Sequence, residues 1–145
     1  MLSLQEISDR IEIQQLLYEY AAAIDGKNFD RLDVVFAPDA HVDYRAFGGV
    51  AGSYPEAKTW LTKVLPTFPA YQHLMGNAEI RIDGDTATGR VMCFNPMSFP
   101  RRQGGIQVAF FGLWYLDTYV RTPAGWRIQS RSEEKSFEHN VPVAP

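Results

Sequence analysis

Apolar residues recur at three- and four-residue spacing at Ile13, Leu16, Leu17, Tyr20, Ala21 and Ile24, which is one buried stripe down a helix. Ahead of them, Ser3-Leu4-Gln5-Glu6 has the form of a capping box, where two side chains satisfy free backbone donors. The pattern predicts a helix over residues 3–25 with Gly26 as its stop. Asn28 or Asp30 caps a short second helix through Val35, which Pro38 forbids from continuing. Weak alternation over 40–45 predicts a short strand, and Gly48-Gly49 with Gly52 a loop. Ser53 to Leu65 reads as a third helix, with Pro55 near its first turn and Trp60, Leu61, Val64 and Leu65 facing inward.

After Pro66 and Pro69 the period changes to two. Ile80 and Ile82, then Asp83-Gly84-Asp85, then Ala87 through Phe94 predict a hairpin, since Asp-Gly suits a tight turn. Ile106 to Val120 is apolar on both parities, with Val108, Phe110, Trp114 and Leu116 on one and Ala109, Phe111, Leu113 and Tyr115 on the other. Such a strand is expected to be central and covered on both faces. Pro123-Ala124-Gly125 turns the chain into a last strand from Trp126 to Phe137, on which Arg131, Glu133 and Glu134 form a solvated ladder. The element order predicts an α+β cone: a curved antiparallel sheet wrapped around N-terminal helices, with an internal pocket. No repeat or linker divides the chain, so one domain is expected over 1–145.

Composition sharpens this. At 145 residues with 46% apolar and 21% charged, the chain is an average globular one rather than a disordered one. Fourteen Lys and Arg against seventeen Asp and Glu give a net charge of −3, without the basic footprint of a nucleic-acid binder. The single Cys93 implies no disulfide and no oxidising compartment. No apolar run reaches the roughly 20 residues of a membrane span, and Met1-Leu2-Ser3-Leu4 opens no signal peptide. A cytoplasmic protein without nucleic-acid or membrane partners is expected. The aromatic share is 13%; these rings belong to the core or wall a cavity for an apolar ligand.

Candidate chemistry is sparse. His41, His73 and His139 are far apart in sequence, and no HxH, HExxH, Gly-rich phosphate loop or GxSxG elbow occurs, so neither metal nor cofactor is expected. Acid–base groups remain. With Leu17 at the stripe's centre, Asp25 falls about 80° to one side and Tyr20 about 60° to the other. Both sit at the rim of the buried arc, Asp25 as an exposed helix-end acid or a site carboxylate, Tyr20 as a core ring or a donor. His73 opens the first long strand; its parity groups it with Met75, and Ile80 and Ile82 point the other way. A buried His73 therefore needs a bulge near Gly76. Otherwise it is a hydrogen-bonded surface residue, but imidazole is the side chain whose charge changes near neutral pH. His41 and His139 read as surface residues. Asn95 and Tyr115 are polar groups on strands that line the cone. Tyr44, Phe47, Trp60, Met75, Phe94, Phe111 and Trp114 complete the candidate substrate-binding wall.

Ile13 to Asp25, then Phe29 to Ala40, His73 with Asn77, Ile80 to Ala87, and Gly112 to Arg131 including Gly125-Trp126-Arg127-Ile128 together resemble the SnoaL-like families of the nuclear transport factor 2-like superfold. Within that superfold the chain is most similar to the scytalone dehydratase and bile-acid 7α-dehydratase branch. The resemblance implies catalysis by Tyr20 and Asp25 on the first helix and His73 at a strand start, with Asn95 near the position of a further polar group. It further implies a cofactor-free lyase or isomerase, dehydratase-like, acting on a hydrophobic steroid, terpenoid or polyketide-type molecule. A homo-oligomer paired through the open sheet face is implied too. A non-catalytic small-molecule binder and a polyketide cyclase are the alternatives on the same fold.

Overall fold

Ser3 starts the first helix, α1 (Leu4–Asp25), by accepting the Glu6 amide at 3.1 Å. The reciprocal half of the box does not form there, because the Glu6 carboxylate reaches along the helix to Arg10. In this computed structural model, which describes residues 1–143, the reciprocal contact occurs instead at the second helix, α2 (Tyr54–Val64). There Glu56 accepts the Ser53 backbone N–H at 2.8 Å. All six stripe residues of α1 are buried. The helix ends at Asp25 with Gly26 as its cap, as the sequence predicts, but the left-handed residue is Lys27 (φ 55°) and not Gly26 (φ −80°). Asn28 donates to the Ala23 carbonyl and Lys27 to that of Ile24, which is a Schellman ending with lysine in the usual glycine place.

The chain continues through a 3₁₀ turn (Phe29–Val34), β1 (Phe36–Asp43), β2 (Ala51–Ser53), α2, β3 (Leu74–Asp83), β4 (Thr86–Pro100), β5 (Ile106–Thr122) and β6 (Gly125–His139). The strands form one six-stranded sheet in the order β2-β1-β6-β5-β4-β3. Neighbours from β3 to β6 are antiparallel, but β1 runs parallel to β6, so the sheet is mixed rather than wholly antiparallel. β1 begins at Phe36 and carries Pro38, which the pairing tolerates because the register shifts between Phe36 and His41. The short β2 lies inside the stretch predicted as loop, as an edge strand on β1. The curved sheet holds α1 and α2 on its concave side. With its N-terminal helices it forms the α+β cone expected from the sequence.

Bulges set which side chains enter that concavity. Met75 pairs with Cys93 and Ala78 with Val91, so one extra residue sits between them on β3. That is the bulge expected near Gly76, and it lets His73, Met75, Ile80 and Ile82 all serve one face. Two further irregularities lie on β6, between the partners of Thr118 and Tyr119 and between those of Gly112 and Leu113.

β5 corrects an expectation. Its odd positions Ala109, Phe111, Leu113 and Tyr115 are buried, while Val108 (40% exposed) and Leu116 (37%) face outward beside half-buried Phe110 and Trp114. The strand is central in the sheet, yet only one of its faces is covered within the chain.

At the narrow end Asp9 is buried and accepts from Arg121 (2.6 and 2.8 Å), Trp126 (3.1 Å) and Gln5 (3.0 Å). The Arg121 guanidinium holds the Asp9 carboxyl well below the usual carboxylate range, against burial. A carboxyl depressed by folding stabilises the protein above its unfolded value of about 3.9 and loses that contribution as pH falls toward the folded value. Asp9→Asn is therefore expected to lower stability at neutral pH and to flatten its acid dependence below about pH 4, as read by urea unfolding across pH. An unchanged acid limb would count against this network.

Candidate active site

The Schellman ending leaves Asp25 as the last residue of α1, directed at the segment that leads into β3. Its Oδ2 accepts the His73 backbone N–H at 2.9 Å, and its Oδ1 meets His73 Nδ1 at 2.7 Å. One carboxylate thus grips both the main chain and the ring of a single residue. The His73 side chain is 8% exposed and that of Asp25 25%. The segment carrying His73 is pinned from several sides. Gln72 donates to the Pro96 carbonyl and Ser98 to that of Ala70, while the Tyr71 hydroxyl donates to the Ile24 carbonyl at 2.9 Å. The Asn95 amide nitrogen donates to the Gln72 carbonyl at 2.8 Å, so Asn95 also holds this strap. Tyr20 and Tyr71 meet the imidazole edge-on, with ring centres 6.3 and 6.0 Å away.

Beyond His73 a cavity of about 540 Å³ opens between the helices and the sheet, within the range of small-molecule sites. Tyr20, His73 and Asn95 line it, with Tyr44, Phe47, Trp60, Phe111 and Tyr115. Asp25 lies behind His73 rather than on the wall. Three aromatic-wall expectations do not hold. Phe94 and Trp114 occupy the outer face, because the cavity side of β4 and β5 is carried by the odd-numbered residues around them. Met75 packs against the core instead of the cavity. Met97 and Phe99, on the wall but unforeseen, continue the two-residue period of Asn95 and were legible by parity alone. Among the described residues, no three His, Cys, Asp or Glu side chains converge as a metal site.

The polar end of the cavity was the least legible. Arg131 is not on a solvated ladder: it is fully buried and paired with buried Asp117 at 2.8 and 2.7 Å. Its guanidinium lies over the rings of Tyr115 and Tyr20, 4.0 and 4.2 Å from their centres. Glu133 is also inward, on the cavity wall, and only Glu134 stays outside, paired with Arg90. The β6 bulge before Ser130 explains this. Trp126 and Ile128 face the core on even numbers, but after the extra residue the odd positions 131, 133 and 135 turn in.

The Tyr20 and Tyr44 hydroxyls meet at 3.0 Å. Burial pushes both phenols, and that of Tyr115, above their ordinary value, while the Arg131 charge opposes the rise. These hydroxyls therefore remain protonated donors at neutral pH. Burial raises the Glu133 carboxyl to about 7, with the Arg131 cation opposing and Asp43 adding to the rise.

Comparison with known proteins places this geometry in context. Residues 5–132 match the family described as a SnoaL-like domain. An uncharacterised protein of Mycobacterium tuberculosis is 59% identical over 138 residues, covering 95% of this chain and 92% of that one. A scytalone dehydratase-like protein of Novosphingobium aromaticivorans superposes with a TM-score of 0.81 at 16% identity, over 95% of this chain and 91% of that one. A hexachlorocyclohexane dehydrochlorinase, LinA type 2, gives 0.82 at 18% identity, over 98% and 97%. At such identities the structures share a fold with this chain, and the fold is the cone described above.

Proposed function

From the premise that this chain belongs to the SnoaL-like domain family, we propose that it is a cofactor-free acid–base lyase or isomerase acting on a hydrophobic carbonyl compound of steroid, terpenoid or polyketide type. The observation that carries this reading is the Asp25 clamp on His73 at the edge of an aromatic cavity. With Nδ1 held by Asp25, Nε2 is the ring nitrogen left for a ligand. His73 takes a proton from the carbon beside the carbonyl, and Asp25 fixes the tautomer and stabilises the imidazolium that forms. The Tyr20 hydroxyl, bonded to Tyr44, donates to the developing enolate oxygen. Asn95 contributes by fixing the backbone next to His73. Two of the similar structures carry the names of eliminations, a dehydratase and a dehydrochlorinase.

The test uses the aldol adduct of benzaldehyde and acetone, a hydrophobic β-hydroxy ketone, in heavy water. Deuterium is expected to enter the carbon beside the ketone with wild type and at the buffer rate with His73→Gln. Binding of the probe without any uptake would make the domain a binder.

The uncovered face of β4 to β6 bears exposed Phe94, Val108, Leu116 and Phe137. We infer that a second copy covers it. Light scattering is expected to return twice the chain mass, and Leu116→Lys the single mass; a monomeric wild type would refute the pairing.

A further inference from the structure

The proton abstraction set out above uses neither carboxyl of the cavity wall: Glu138 is exposed and paired with Lys135, and Glu133 is left without such a partner. Glu133 pairs in register with Tyr115 and, like it, lines the cavity. Its Oε2 is buried and has no hydrogen-bond partner. Native proteins leave few buried polar atoms in that condition, because each forfeits the hydrogen bonds that water supplied. A carboxyl with one oxygen so stranded favours its neutral form, whose proton is free for a group bound in the cavity that Glu133 lines.

We propose, resting on the proton-abstraction reading, that Glu133 is a second catalytic residue of this site, the general acid that protonates the departing hydroxyl of a hydrophobic β-hydroxy carbonyl substrate. His73 lines the same cavity. The step balances on these two residues. His73 takes the proton from the carbon beside the carbonyl, and that electron pair becomes the new carbon–carbon double bond. The carbon–oxygen bond breaks with its pair on oxygen, and the Glu133 proton completes a water molecule. The site is left with imidazolium and carboxylate. Loss of the His73 proton to solvent and uptake of one by Glu133 restore it.

The surroundings favour a carboxyl that carries its proton near neutral pH. Facing Glu133 are Arg131 and Lys135 on its own strand, Asp43 and Tyr44 from β1 and the turn after it, and Tyr20 from α1. Tyr115 from β5, Cys93 from β4, and His73 and Glu138 on the cavity wall complete the set. Arg131 is the strongest force for ionisation, but both of its bonds to Asp117 draw that charge away. Burial then dominates and pushes the carboxyl up to about 7, where a general acid combines availability with a ready proton.

Two measurements on the full chain decide the matter. The carboxyl carbon of labelled glutamate, followed by NMR and assigned with Glu133→Gln, is expected to titrate with a midpoint near 7. A midpoint in the ordinary range of about 4.3 overturns the proposal. With the benzaldehyde–acetone aldol in heavy water, Glu133→Gln is expected to slow water loss by about 10²-fold or more, while deuterium still enters beside the ketone. Wild-type water loss should fall as pH rises through 7, as Glu133 gives up its proton. Equal water loss from wild type and Glu133→Gln overturns the acid role and leaves proton abstraction standing. No deuterium uptake by wild type overturns both.

Discussion

Arg131→Met is expected to destabilise the protein by about 3–5 kcal/mol, since it strands the buried Asp117 carboxylate without its cation. For a domain of this size that corresponds to a fall in melting temperature of about 10–15 °C. Both side chains of the pair are 0% exposed, so neither salt nor water takes over the lost partner's role. Tyr119 gives Asp117 one further hydrogen bond, at 2.8 Å, which does not replace a bidentate guanidinium. Asp117→Leu should cost a similar amount, leaving Arg131 charged among Tyr20 and Tyr115. The double variant Arg131→Met with Asp117→Leu is expected to recover most of the loss, because an apolar pair of similar volume escapes the desolvation penalty. Thermal and urea unfolding of the three proteins checks this cycle. Single variants that melt with wild type would mean that neither buried charge depends on its partner.

Asp25→Asn should reduce turnover by about 10²- to 10⁴-fold with little change in KM. The amide oxygen can still accept the His73 backbone N–H, so the strap stays in place. Its nitrogen then faces Nδ1 and donates to it, which puts the ring proton on Nε2. A nitrogen that already carries a proton cannot take one from substrate. His73→Gln should lose as much by removing the base outright, and the double variant should lose no more than either alone, since the two act as one unit. Deuterium uptake by the benzaldehyde–acetone aldol and folding by circular dichroism separate lost chemistry from lost structure. Additive losses would mean that Asp25 and His73 act independently.

Titration of the Glu133 carboxyl can be followed without any substrate present. Its proposed role divides the labour of an elimination between two walls of one cavity, with the base on the strap before β3 and the acid on β6. A site with a single shuttling imidazole would need that ring to move from carbon to oxygen within one turnover.

Local signals in the sequence decide wherever one short segment suffices. Ser3 caps the helix it precedes, the α1 stripe is buried residue for residue, and Gly84 turns its hairpin with a positive φ of 59°. The need for a bulge near Gly76 followed from one conflict: His73 and Ile80 cannot share a face across a regular strand. The β6 bulge gave no such conflict. Trp126 and Ile128 establish even parity, but residues 130–136 are polar on both parities, so nothing marks where the inward face changes. Polar residues on the other parity then look like an outer face.

The sequence by itself determined the helix stripe, the order of elements apart from β2, and a first helix that ends in an acid five residues after a tyrosine. Those features depend on residues within a few positions of one another, where backbone propensity and periodicity act directly. Only the tertiary structure decided that the carboxylate of Asp25 closes on His73, 48 positions further along the chain. Only it turned Arg131 and Glu133 inward and left Phe94 and Trp114 outside. The physical reason is that a one-residue bulge reverses every side chain beyond it, and where a bulge falls depends on the strand next door.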